Sequence, residues 1–176
     1  MIYSPSEDSY LLEEEVVKYS RGKKVLDVGS GSGIQAETAL KNGANSVLAV
    51  DINLEAVKLL KVKGIRAVKS DLFSNVKTKF DLIVFNPPYL PEDEREDSES
   101  SLITSGGKKG DEIILRFLKS VKKYMNKDGI ILIVISSLTL QKRILKILKE
   151  KKLIRKIVAM KKVFMEELQI WKIENK

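Results

Sequence analysis

Short apolar runs recur along the chain, each closed by a polar or glycine-rich stretch, and between them apolar residues return at helical spacing. Residues 24–28 form the first run and are followed by a helical segment over 34–41. Residues 46–50 and 66–69 repeat the strand pattern, separated by a helix that Asn53 caps and whose Val57 and Leu60 face inward. Within the fourth run, 80–85, Leu82 to Phe85 show no alternation, which suits a strand buried on both faces of a parallel sheet. A helix over 111–125 follows, with Ile114, Phe117, Leu118, Val121 and Met125 on one face. Next come a strand over 129–135 and a Lys-rich helix over 138–149 that turns Ile144, Ile147 and Leu148 inward. Strands over 153–160 and 167–173 close the chain. A lead-in helix over 6–19 opens it, with a Ser cap, two acids, and Leu12, Val16 and Tyr19 at helical spacing. This alternation predicts a doubly wound α/β sheet in a single domain over residues 1–176, with 1–20 as the lead-in.

A length of 176 residues supports one domain with a sizeable core, and 43% hydrophobic against 32% charged residues describes a soluble globular chain. The longest apolar run, Ile130 to Ile135, is too short to span a bilayer. The opening M-I-Y-S-P-S-E-D has neither the basic region nor the apolar stretch of a signal peptide. A cytoplasmic location and no membrane partner are therefore expected. With no Cys and no His, disulfides, thiol catalysis, imidazole bases and Cys/His metal sites are excluded, and no metal is expected. Chemistry must run on carboxylates, amides, hydroxyls, lysines or a bound cofactor. The formal charge of +8 admits a nucleic-acid partner, but lysines spread through the helices read better as a solvated surface.

The candidate chemistry begins at D-V-G-S-G-S-G, residues 27–33, between the first strand and the next helix. Gly29, Gly31 and Gly33 permit a tight turn that brings backbone N–H groups close to a ligand. Asp51 ends the second strand, where a carboxylate accepts from both hydroxyls of a ribose, and Asp71 follows the third, within reach of an adenine amine. Acids at successive strand ends mark a nucleoside site. The loop is not G-x-G-x-x-G, and an acid inside the strand end, Asp27, is poorly placed for a diphosphate but well placed for an ammonium or sulfonium. That favours S-adenosyl-L-methionine.

A second constellation, N-P-P-Y at 86–89, ends the fourth strand. Pro87 and Pro88 have fixed φ and donate no backbone hydrogen bond, so the chain leaves the sheet stiff and extended. The side-chain oxygen of Asn86 and the carbonyl of Pro87 can then accept together, beside the ring of Tyr89. Two convergent acceptors beside a flat ring suit a planar NH2 group, either a carboxamide or an exocyclic base amine.

Together with D-I-N at 51–53 and Asp71-Leu72, these motifs resemble class I methyltransferases of the HemK family. The opening Y-S-P-S-E-D-S and the closing E-E-L-Q-I-W resemble its short archaeal and eukaryotic branch, which methylates the glutamine of the Gly-Gly-Gln loop in class 1 translation release factors. The resemblance implies Ser9, Asp27, Gly29, Asp51, Asp71 and Leu72 around the cofactor, with Leu72 acting through its N–H and its side chain against the adenine. It implies Asn86 as the bridge to the acceptor. It also implies a seven-stranded sheet of order 3-2-1-4-5-7-6 with the last strand antiparallel, and a small zinc-binding activator protein that pairs along a sheet edge. In contrast to bacterial members, which carry an extra amino-terminal helical domain, only about twenty residues precede the first strand here. Because N-P-P-Y is shared with nucleic-acid amine methyltransferases, an enzyme for an exocyclic amine of DNA or RNA stays open, as does a non-catalytic cofactor-binding scaffold. Residues 91–99 carry six acids against one Arg and read either as a solvated loop or, within 90–110, as a lid hinged on Ser105–Gly110.

Overall fold

In a computed structural model, which describes residues 2–89, 106–107 and 109–176, the alternation closes into one seven-stranded sheet. The elements are α1 (Glu7–Tyr19), β1 (Lys24–Val28), α2 (Ile34–Lys41), β2 (Ser46–Asp51), α3 (Leu54–Val62), β3 (Ala67–Lys69) and β4 (Phe80–Phe85). They continue as α4 (Glu112–Val121), β5 (Met125–Ser136), α5 (Gln141–Glu150), β6 (Leu153–Val163) and β7 (Glu166–Asn175). The strand order is β3-β2-β1-β4-β5-β7-β6, with β7 antiparallel to both neighbours and the first five strands parallel. This is the order the family resemblance implies. No helix among the described residues is long and apolar enough to cross a membrane.

The run at 80–85 is buried on both faces as its lack of alternation requires. Ile83 and Phe85 point into a cluster with Phe117, Leu118 and Ile144 from α4 and α5. Leu82 and Val84 point into a second cluster with Leu12 of α1, Ala36 of α2 and Leu60 of α3. Each such fully buried aliphatic or aromatic side chain contributes about 1.5–3 kcal/mol, so the two layers of helices are held by the strands they cover.

The last two strands run past their expected ends, to Val163 and Asn175, and two other boundaries differ for a local reason. The helix expected over 111–125 stops at Val121, a single 3-10 turn covers Lys122–Tyr124, and Met125 begins β5. Met125 is buried either way, but here it pairs with Phe80 across a register irregularity, so strand pairing outcompetes the last helical turn. The helix expected from 138 starts at Gln141, because the Leu138 N–H donates to Ser136 Oγ at 3.0 Å and the Thr139 N–H to the Ser136 carbonyl at 3.1 Å. A serine offering these local bonds favours a turn over a helix start.

The register sets up the functional end of the sheet. Val28 pairs with both Val50 and Phe85, so Gly29, Asp51 and Asn86 leave adjacent strands side by side. Asp51 in turn pairs with Lys69, which brings residues 71 and 72 to the same edge. Because β7 runs antiparallel, its first residue, Glu166, lies at this end beside Ser136, the last residue of β5.

Candidate active site

The glycine loop occupies the carboxyl end of β1. Gly29, Gly31 and Gly33 have φ of 63°, 50° and 90°, a region where L side chains are strained, and a Cβ on Gly33 would come 2.5 Å from Leu60 Cδ2. Glycine at 33 therefore lets α2 begin against α3, while the loop above it stays open. The Gly31 N–H donates to Asp51 Oδ2 and the Asn53 N–H to Asp51 Oδ1, both at 2.8 Å. Each Asp51 oxygen keeps capacity for one more donor, as a vicinal diol would require.

Asp27 lies deeper, 2% exposed, and its Oδ2 is buried with no hydrogen-bond partner among the described residues. Burial pushes its carboxyl up to about 7; Ser30 and the Ala36 N–H oppose the shift, and the negative charge of Asp51 adds to it. A buried carboxylate with one oxygen unpartnered is costly by itself and fits a cation placed beside it. Leu72 holds φ of 48°, at a cost of about 1–2 kcal/mol for a residue with a Cβ. It lines the cavity with Phe85, whose ring stacks on Phe117 at 4.6 Å, and together they form an apolar wall. Asp71 also lines the cavity but is exposed and ion-paired, its Oδ2 accepting from Arg116 Nη2 of α4 at 2.7 Å.

On the acceptor side, Asn86 Nδ2 donates to Asp8 Oδ2 at 3.1 Å and, more weakly, to Ser9 Oγ at 3.4 Å. Its Oδ1 is buried and has no partner among the described residues. Asp8 and Ser9 come from the first turn of α1, so the lead-in helix forms one wall of this half. Burial, then the charges of Asp8 and Glu166, push the Tyr89 phenol well above its ordinary range; burial and Asp8 do the same for Tyr3. Both phenols are neutral at physiological pH. Gly106 returns the chain to this tip, since a Cβ there would lie 2.8 Å from the Pro88 carbonyl oxygen. The remainder of the expected lid, residues 90–105 and 108, lies outside the described residues.

The ten residues expected from sequence to face cofactor or acceptor, Ser9, Asp27, Gly29, Gly31, Asp51, Asp71, Leu72, Asn86, Pro87 and Tyr89, line a single cavity of about 860 Å3, and the third loop glycine, Gly33, lies outside its lining. That volume is in the range of sites for nucleoside-sized ligands. Sequence reasoning missed Asp8, Tyr3 and Arg116, which line it too. Asp8 stood in the quoted opening motif but read only as a first-turn acid, and nothing in the helical pattern of α4 sets Arg116 apart from the other cations.

The model of the methyltransferase small domain matches residues 7–164, nearly the whole chain. The chain belongs to the methyltransferase small domain family. This methyltransferase is 42% identical over 177 aligned residues to a Methanocaldococcus jannaschii protein assigned as a protein N5-glutamine methyltransferase, covering 96% of this chain and 89% of that one. It is 36% identical over 105 residues to the release factor glutamine methyltransferase of Fusobacterium nucleatum, covering 52% of this chain but only 30% of that protein. Among solved structures it resembles the E. cuniculi Mtq2–Trm112 complex, responsible for methylation of the eRF1 translation termination factor. The TM-score is 0.81, with 29% identity and 99% of each chain covered.

Proposed function

We propose that this methyltransferase moves the methyl group of S-adenosyl-L-methionine to the side-chain amide nitrogen of a glutamine in a class 1 translation release factor, in the Gly-Gly-Gln loop implied by the family resemblance. The observation that carries the reading is the polarity of Asn86. Its NH2 is turned toward Asp8 and Ser9, so the buried Oδ1 is left to accept a hydrogen bond from a substrate NH2. The names of the relatives support a glutamine amide as the owner of that NH2.

When bound, S-adenosyl-L-methionine supplies an electrophilic methyl on a positively charged sulfur. Asp27 would hold the cationic methionine end, Ser9 and the loop at Gly29 and Gly31 would border it, Asp51 would accept from the ribose hydroxyls, and Leu72 would pack on the adenine, with Asp71 beside its amine. On the other side, an amide nitrogen is a weak nucleophile because its lone pair is delocalised into the carbonyl. Asn86 Oδ1 and the Pro87 carbonyl would accept its two N–H bonds, aim the nitrogen and favour the pyramidal form. Tyr89, kept neutral, would pack on the amide plane. Once methylated, the nitrogen is strongly acidic and sheds its proton without a dedicated base. This division of labour fits a chain without His.

Residues 1–176 would form a single catalytic domain. The sheet ends in two outer strands, β3 and β6, and an unpaired strand edge invites a further strand. The Mtq2–Trm112 resemblance supports a small activator protein as partner here, and we propose that it binds zinc, which this chain has no Cys or His to do. Labelled methyl transfer tests the reading, with and without such an activator, against the release factor, its Gln→Ala variant, RNA and DNA. Label on the intact release factor alone is expected. Label on RNA or DNA in preference to it would replace the protein substrate with a base amine.

A further inference from the structure

Asp8 lies outside both the glycine loop and the N-P-P-Y tip. Acids in a first helical turn are usually solvated and are explained by the helix dipole. Asp8 is instead 5% exposed, and among the described residues no lysine or arginine pairs with it. A buried carboxylate without a cation is tolerated only when enough donors surround it. Four do: the Tyr3 hydroxyl at 3.0 and 3.1 Å from the two oxygens, the Ser9 N–H at 2.6 Å, the Ser9 hydroxyl at 3.2 Å, and the Asn86 NH2 at 3.1 Å.

The last contact has a chemical consequence. An asparagine amide has two faces of opposite polarity, and a half-turn about its last bond exchanges donor for acceptor. A carboxylate is acceptor-only, so it can face the NH2 but repels the oxygen. We infer that Asp8 is a positioning residue whose carboxylate locks the Asn86 amide with Oδ1 toward the acceptor, which makes the site selective for an NH2-bearing group. Ser9 reinforces the lock, because its hydroxyl donates to Asp8 and is left to accept from Asn86. A flipped Asn86 would offer hydrogens to the substrate NH2, and neither group could accept. The contact spans 78 residues of chain and is made by the lead-in helix, so it gives α1 a role in turnover as well as in packing.

The inference rests on the proposed amide chemistry, and the experiment separates the two. With Asp8→Asn, cofactor affinity should be little changed while kcat falls about 10- to 100-fold, as a bond to a charged acceptor is lost and the flip is freed. A broader test exchanges the two groups. Asn86→Asp alone sets two carboxylates against each other and should be nearly inactive. In D8N/N86D the amide sits on α1 and donates, while the carboxylate at position 86 keeps one oxygen for the acceptor. The double variant should therefore recover about tenfold or more over N86D. Were Asp8 only a structural anchor for the amino-terminal segment, D8N would add its loss to that of N86D, and that result overturns the inference.

Side-chain amide NMR of the protein alone supplies a readout that needs no substrate. One Asn86 Hδ2 proton should be displaced downfield by the carboxylate in wild type and return toward its ordinary position in D8N. Unchanged resonances in D8N also overturn the inference. If wild type methylates a nucleic-acid base and not the release factor, the proposed substrate falls, while the rescue and the amide resonance still judge Asp8.

Discussion

Acidifying the solution from about pH 8 to about pH 5.5 should weaken S-adenosyl-L-methionine binding, and Asp27 sets the size of the effect. Burial holds its carboxyl at about 7, so in the ligand-free protein the group is largely protonated at about pH 5.5. A cation beside Oδ2 requires the carboxylate, so binding must expel that proton, and affinity drops as pH falls below about 7. Each pH unit below the pKa costs about 1.4 kcal/mol, so about 1.5 units cost about 2 kcal/mol, or roughly 30-fold in affinity. Stability of the ligand-free protein should run the other way. The folded pKa is raised above the ordinary aspartate value of 3.8, so the folded state holds the extra proton between about 3.8 and 7. Its stabilising share is full below that window and is lost as pH rises through it, by about 4 kcal/mol at most. Asp27→Asn should accordingly raise the melting temperature of the ligand-free protein near pH 8 while making binding weak and insensitive to pH. Calorimetry in two buffers of different ionisation enthalpy counts the protons released. Affinity that is flat across the range in wild type, with Asp27→Asn binding equally well, would refute the assignment of Asp27 to the cationic end.

Asp51→Ala should weaken cofactor binding by about 1–3 kcal/mol, the usual loss for a charged acceptor of buried hydroxyls; calorimetry that finds wild-type affinity rejects it as the ribose ligand. Asn86→Ala should keep most cofactor affinity yet cut methyl transfer at least ~100-fold, and a turnover rate equal to wild type sinks the acceptor role. Gly33→Ala should lower stability by about 1–3 kcal/mol, because its Cβ would strike Leu60 at 2.5 Å in a left-handed backbone; thermal melting with an unmoved midpoint contradicts this.

What could be read from sequence follows the range of each interaction. The doubly buried strand at 80–85 and the helices over 34–41 and 54–62 are written in local periodicity, and strand ends collect ligands in any open α/β sheet, so Asp27, Asp51 and Asn86 were legible before their neighbours were known. Strand order was not, because periodicity identifies strands without saying which of them pair; the family resemblance supplied it. The start of β5 at Met125 was hidden because Met125 satisfies a helical stripe as well as a strand. Asp8 and Arg116 stayed hidden for a different reason: their partners, Asn86 and Asp71, lie 78 and 45 residues away, and only the closed sheet brings them together.

In the proposed reaction the methyl group lands on a release-factor glutamine. Mass spectrometry of the release factor isolated from cells with and without this gene, with fragmentation to place the modification, tests it most directly. One methyl group is expected on the side-chain amide of the Gly-Gly-Gln glutamine, present with the gene and absent without it. An identical, unmethylated glutamine in both samples, or a methyl group that persists when the gene is removed, would contradict it.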